Sequence, residues 1–209
     1  MPKIVDHDQR RAEIAQALWR VIARDGLSGA GVRVVAAEAG WSLGAVRHYF
    51  GTQDELIAFA TELMIEGVRS RMEAHLAFEP GMPRARALLE EFLPLDDDRV
   101  LEARVWLELL VRAARNPDLT ELRLAAWQGE RYVCRLVICD LTGAGPLGID
   151  VPLPGAAEAA AAHLHTVVDG LTLHGATVPE ATPPAELRRI LAETLAALPT
   201  GLGNAHTGS

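Results

Sequence analysis

Residues 32–50 read VRVVAAEAGWSLGAVRHYF, and the way this stretch divides decides the fold. Val32, Val35, Ala36 and Ala39 recur at helical spacing and put one apolar face inward. Gly40 follows, the residue type that leaves a helix with positive φ at little cost. Ser42 then stands as an N-cap, its hydroxyl placed to accept from the free N–H groups of a second helix. In that helix Val46 and Phe50 lie four apart and point to the core, which leaves Leu43, Gly44, Ala45 and Arg47 on another face. Two short helices crossing through a glycine-containing turn make a helix-turn-helix, whose second helix can enter a DNA major groove.

An αα-corner that binds nothing has the same outline, and three features separate the two readings. Gly44 and Ala45 are small residues at the leading end of the second helix, where backbone must come close to a groove. His48 and Tyr49 flank Arg47 with donors suited to phosphate. Thr52 and Glu55 are spaced as a capping box, so a third helix begins at once.

The motif order AAEAGWS-G-VRHYF-T-DEL, over about Arg10 to Leu63, resembles the DNA-binding domain of TetR-type transcriptional regulators. The resemblance implies a homodimer that reads a palindromic operator in double-stranded DNA through Ser42, Leu43, Gly44, Ala45, Arg47, His48, Tyr49 and Thr52. It also implies a small-molecule inducer, mostly apolar, held between the long linking helix and those after it. Such proteins often carry a hydroxyl residue just before the first motif helix, where this chain has Gly31, with Ser28 earlier in the loop. Arg33 is the substitute phosphate contact expected here. They commonly carry a lysine that reaches a phosphate just after the third-helix cap, where this chain has Gln53, expected to keep a hydrogen bond to DNA but, being uncharged, to weaken binding and flatten its salt dependence.

Composition agrees with an all-α chain. Of the 209 residues 49% are hydrophobic and only 5% aromatic, so the core must be mostly Ala, Leu and Val. No β-branched run alternates over the length of a strand. The net charge of −8 is unevenly spread. Residues 1–51 carry seven basic and five acidic side chains, a net +2, and the remainder carries 13 and 23, a net −10. DNA is thereby directed to the N-terminal part and away from the rest. The expected organisation is a three-helix head over 1–51, a ligand-binding and dimerising bundle over 52–198, and a disordered tail over 199–209, about nine helices in all.

Along the chain, Asp8 is placed to cap a helix to about Asp25, with Ile14, Leu18, Val21 and Ile22 as its buried stripe, and residues 27–31 form a loop. From Thr52 to about Phe78, Leu56, Phe59, Ala60, Leu63, Met64 and Gly67 form the next stripe. Asp96, Asp97 and Asp98 suit a helix N-terminus rather than a metal. Residues 142–154, rich in Gly and Pro, form a loop before a helix of small residues over 156–177. The last helix carries Leu187, Ile190, Leu191, Thr194, Leu195 and Leu198 along one face, more apolar than a lone terminal helix requires. Leu187, Leu191, Thr194 and Leu195 are therefore the expected dimer contacts.

Chemistry of other kinds is not indicated. Cys134 and Cys139 lie five apart and point roughly 140° away from each other on a helix, so they form no bridge. His163 and His165 diverge by about 200° on a helix and cannot chelate one ion. His165 and Asp169 form an i, i+4 pair, read as a satisfied helix face. No phosphate loop, nucleophile elbow or zinc-protease motif occurs, and no catalytic residue, metal or cofactor is expected. No run is long enough for a membrane span, and a cytoplasmic protein is expected. Phe59, Met72, Phe92, Trp106 and Trp127 are the large side chains among small neighbours that could wall an inducer pocket. The alternative to a regulator is a helical ligand-binding or interaction protein whose helix-turn-helix no longer reads DNA.

Overall fold

The structure, a computed structural model, describes residues 7–143, 148 and 151–198, and not the side chains of residues 7, 8, 27 and 28. The expected cap at Asp8, the side chain of Ser28, residues 144–147, 149 and 150 of the 142–154 loop and the tail from 199 lie outside these. Among the described residues the chain is all-α: α1 (His7–Gly29), α2 (Val32–Ala39), α3 (Leu43–Tyr49), α4 (Gln53–Leu76), α5 (Met82–Glu90), α6 (Asp97–Ala113), α7 (Thr120–Thr142), α8 (Ala156–Thr177) and α9 (Pro184–Ala196). A 3-10 turn, Pro117–Leu119, precedes α7.

The chain forms two compact units. The first takes Met1–Ile65 and Arg104–Thr120, and so reaches beyond residue 51. Its core holds the expected α1 stripe, with Ile14, Leu18, Val21 and Ile22 all but fully buried. Gly26, at φ 71° and ψ 178°, breaks α1, and a further helical turn runs to Gly29 where a loop was expected. In the part of α4 that belongs to this unit the buried positions are Leu56, Ile57, Ala60 and Thr61, while Leu63 is exposed. The apolar face is thus rotated from the one read in the sequence. Thr61 tolerates burial because its hydroxyl donates to the Ile57 carbonyl at 2.8 Å. Asp54, in the first turn of α4, is held from α6 and its end: Arg112 Nη1 and Asn116 Nδ2 each donate to its carboxylate at 2.8 Å.

The second unit takes Glu66–Ala103 and Glu121–Ser209. Leu88, Leu89 and Leu93, Val137 and Ile138, Leu164 and Val168, and Leu187 and Leu191 form its continuous core. The small residues of α8 serve close packing, as expected. A Cβ on Gly175 would come within 2.5 Å of Pro94 and 2.7 Å of Leu187, so only glycine fits there. Thr172 donates its hydroxyl to the Phe92 carbonyl at 3.0 Å. Asp96 caps α6 by accepting from the Arg99 N–H at 2.9 Å, the role expected of the acidic run.

The α9 stripe corrects the sequence expectation. Leu187 and Leu191 are fully buried, Leu195 nearly so, and all three belong to the core of their own chain. Thr194 is half-buried and donates its hydroxyl to Ile190. An apolar stripe in sequence says that something covers it, not whether the cover is the same chain or another. Here α5 and α8 cover Leu187, Leu191 and Leu195 within the subunit.

Candidate nucleic-acid interface

The turn between α2 and α3 is built from local hydrogen bonds. Gly40 adopts φ 71° and ψ 25°, its N–H reaching the Ala37 carbonyl at 3.1 Å, while the Trp41 N–H reaches Ala36 at 2.9 Å. That pair of bonds is the Schellman closure of a helix, and it requires the left-handed conformation glycine adopts freely. Ser42, extended at φ −68° and ψ 148°, accepts from the Ala45 N–H at 3.1 Å and caps α3. Val46 and Phe50 anchor α3 inward, at 0% and 1% exposure.

The start of α4 is fixed in the same way. Thr52 accepts from the Glu55 N–H at 3.1 Å, and Glu55 returns to accept from the Gly51 N–H at 2.8 Å. This is a capping box with its return bond moved back by one residue. Gln53 donates its side-chain amide to the Ala30 carbonyl, which fastens the entry of α2 to α4.

The anchoring leaves a defined outer face. Ser42, Gly44, Arg47, His48 and Thr52 are exposed, and Leu43, Ala45 and Tyr49 are half-buried. A Cβ built on Gly44 would meet nothing within 4 Å, so the leading end of α3 is open to close approach. The Tyr49 ring stands edge-on to His48 at 5.3 Å and to Trp41 at 6.1 Å. Several arginines of this unit already have partners. Arg20 and Arg24 both pair with Glu38, Arg10 lies over Trp41, and Arg11 lies over Phe50 and Phe59. Arg33 on α2 and Arg47 on α3 are exposed and enter no ion pair among the described residues.

The five residues considered as pocket walls do not share one unit. Phe59 packs 5.5 Å from Phe50 in the first, where Trp106 is half-buried. Met72 belongs to the core of the second, and Phe92 is half-buried against that core. Trp127, also of the second unit, is 41% exposed, with its ring 5.2 Å from that of His165. Around His165 the structure gathers residues that sequence reading did not combine. Glu130 on α7 joins His165 and Asp169 on α8, and burial pushes the carboxyls of Glu130 and Asp169 upward. The i, i+4 spacing was the visible signal for His165 and Asp169, whereas Glu130 lies 35 residues away in sequence. Cys134 and Cys139 form no disulfide among the described residues, and burial pushes both thiols upward.

A bundle of this kind preceded by a capped helix-turn-helix defines a DNA-binding transcriptional regulator. Comparison with known proteins places it more closely. Residues 82–200 match the family described as BetI-type transcriptional repressor, C-terminal. The HTH-type transcriptional regulator PksA of Bacillus subtilis is 36% identical over 193 residues, covering 91% of this chain and 90% of its own. The crystal structure of a transcriptional regulator from Rhodococcus sp. superposes with a TM-score of 0.74 at 35% identity, over 89% of this chain and 94% of that one. A regulator from Saccharomonospora viridis, solved in complex with choline, gives a TM-score of 0.80 over 91% and 97%. At 22% identity this last likeness bears on the fold alone. The chain belongs to the TetR family of transcriptional regulators, with a C-terminal region of the BetI type. It is a helix-turn-helix regulator and not an enzyme. Among the described residues no helix is long and apolar enough to cross a membrane.

Proposed function

We propose that the protein is a cytoplasmic repressor that binds a palindromic operator as a homodimer and leaves it when a small, mostly apolar inducer enters the second unit. The observation that carries the DNA assignment is the outer face of α3. Its N-terminus is capped and open at Gly44, and Arg33 and Arg47 remain exposed without ion-pair partners among the described residues. Arg47 reads a base edge, where an arginine can make a bidentate contact to guanine. Arg33, Ser42, His48, Tyr49 and Thr52 position the head on phosphates, and Leu43, Gly44 and Ala45 meet the groove wall. Gln53 contributes through placement of the α2 entry, since its amide already donates to Ala30.

A head of net charge +2 with one seven-residue recognition helix binds weakly alone. Two copies held about one DNA turn apart, roughly 34–36 Å, act as a linked pair. With the α9 stripe used inside the subunit, the face assigned to pairing is the outer side of α8. There Ala159, His163, Thr166 and Leu173 are exposed, and Gly170 has open space around its Cβ position. The inducer reading draws support from the S. viridis regulator, whose structure contains choline. It does not assign that ligand here.

The test is a mobility-shift titration of the full chain against DNA flanking its own gene, repeated over a range of salt. Binding to one palindromic segment, with affinity falling steeply as salt rises, is the expected result. Equal binding to every duplex would remove the operator reading. Absence of any salt-sensitive binding would leave a ligand-binding protein whose motif no longer reads DNA.

A further inference from the structure

The Glu130–His165–Asp169 cluster has no part in reading DNA, and its geometry is unusual for a structural contact. His165 is 1% exposed and Glu130 7%. Yet among the described residues His165 Nε2 and Glu130 Oε1 have no hydrogen-bond partner. Buried polar atoms are rarely left so, because nothing offsets the loss of water. His165 Nε2 lies 3.6 Å from Glu130 Oε2 and 3.6 Å from Asp169 Oδ2, and one atom from each of the three residues fits within 4.8 Å. A separation of 3.6 Å is too long for a hydrogen bond. It is close to the roughly 3.4 Å edge of a tetrahedron whose centre lies about 2.1 Å from each corner, the bond length of Zn2+ to imidazole and carboxylate.

We propose that Glu130, His165 and Asp169 form a binding site for one divalent first-row transition ion, with Zn2+ as the best match. One imidazole and two carboxylates suit that class, and the absence of thiolate argues against a soft monovalent ion. The two sides of the site are held differently. His165 and Glu130 are enclosed, whereas the Asp169 side chain is 43% exposed, so an ion enters from the Asp169 side. Water, or a donor atom of a small molecule, fills the position left open there.

Arg131 links occupancy to a visible change. Its Nε donates to His165 Nδ1 at 3.0 Å, which places the imidazole proton on Nε2. A metal bound at Nε2 requires that proton on Nδ1 instead, and Arg131 then has to leave. Two other partners are at hand: Arg131 already lies 3.4 Å from Glu158 and 5.0 Å above the Trp127 ring. Filling the site therefore changes the surroundings of Trp127, a fluorophore 5.2 Å from His165.

The experiment uses the full chain stripped with a chelator and titrated with Zn2+ by calorimetry, with Trp fluorescence followed in parallel. One ion per chain and a fluorescence change that saturates with it are expected. Glu130→Gln and Asp169→Asn keep size and shape, and circular dichroism confirms their fold. Each should weaken binding by more than about tenfold, since even outer partners of metal ligands commonly change affinity that much. His174→Ala, an exposed histidine near the C-terminal end of the same helix, should bind as the parent does. His165→Ala should abolish binding, and if it fails to fold the two isosteric variants decide alone. No stoichiometric binding to the parent chain overturns the site. So does binding that Glu130→Gln and Asp169→Asn leave unchanged. Neither result depends on whether the protein answers to an organic inducer.

Discussion

In the proposed DNA-binding mode, Arg47 carries more of the sequence reading than any other single side chain. It projects from the last turn of α3, exposed, while Val46 beside it is fully buried and fixes the helix rotation. Arg47→Ala should cost about 1–3 kcal/mol per half-site and relax specificity at one operator position. Competition binding against operators varied one base at a time measures this. Uniform weakening with a shallower salt slope would make Arg47 a phosphate contact instead. Legibility at this scale depended on reach. Gly40 and Ser42 make bonds within five residues of themselves, so their conformations could be read from the local string. Gln53 reads as a weakened phosphate contact because its partner, the Ala30 carbonyl, is 23 residues away. Glu130 was invisible for the same reason, since its neighbours come from another helix.

At the scale of elements, caps and stripes behave differently. The α3 cap is a local device, and its removal has a definite size. Ser42→Ala should lower stability by about 1 kcal/mol and weaken operator binding as well. Ser42→Asp separates the two roles. It restores the cap, so the melting temperature recovers, but it sets a negative charge toward the phosphates, so affinity stays low. Recovery of both would show that Ser42 acts only as a cap. The α4 stripe was harder to place. Its positions Leu56 and Ala60 are buried as read, yet Leu63 is exposed and Ile57 takes part in the core. A helix that passes through two compact units need not keep one apolar face along its whole length. Asp54 ties the start of this helix to the end of α6. Its hydrogen bond from Arg112, with one from Asn116, holds the Asp54 carboxyl below its ordinary value of 3.8, against an opposing effect of burial. Because the folded carboxyl is the stronger acid, its contribution is fully present above that value and is lost as pH falls through the folded one. Asp54→Ala should therefore cost about 1–2 kcal/mol at pH 7, discounted for partial exposure. The gap from the parent should close below about pH 4 in urea denaturation series. A gap that persists unchanged into acid would mean that packing, not charge, is what Asp54 supplies.

For the whole molecule the division of charge, a net +2 in residues 1–51 and −10 in the remainder, agrees with the position of the helix-turn-helix in the N-terminal part. The pairing surface was not legible in that way. Leu187, Leu191 and Leu195 have the spacing of an interface, but a stripe is equally well satisfied by the subunit's own α5 and α8, and the structure shows it so. The distinction makes two substitutions diverge. Leu191 is fully buried in its own chain, so Leu191→Ala should destabilise folding by about 2–5 kcal/mol while copies that remain folded still pair. Leu173 is 45% exposed on the outer side of α8, in line with Thr166 and the open Gly170. Leu173→Arg adds a charge to that face, and a second copy would have to bury it opposite its own equivalent across a two-fold axis. Light scattering and circular dichroism should find a folded monomer that no longer binds the operator, because each head then works alone. A folded Leu173→Arg dimer with the parent's affinity would move the interface off α8. Loss of pairing in Leu191→Ala, with its melting temperature unchanged, would return it to α9.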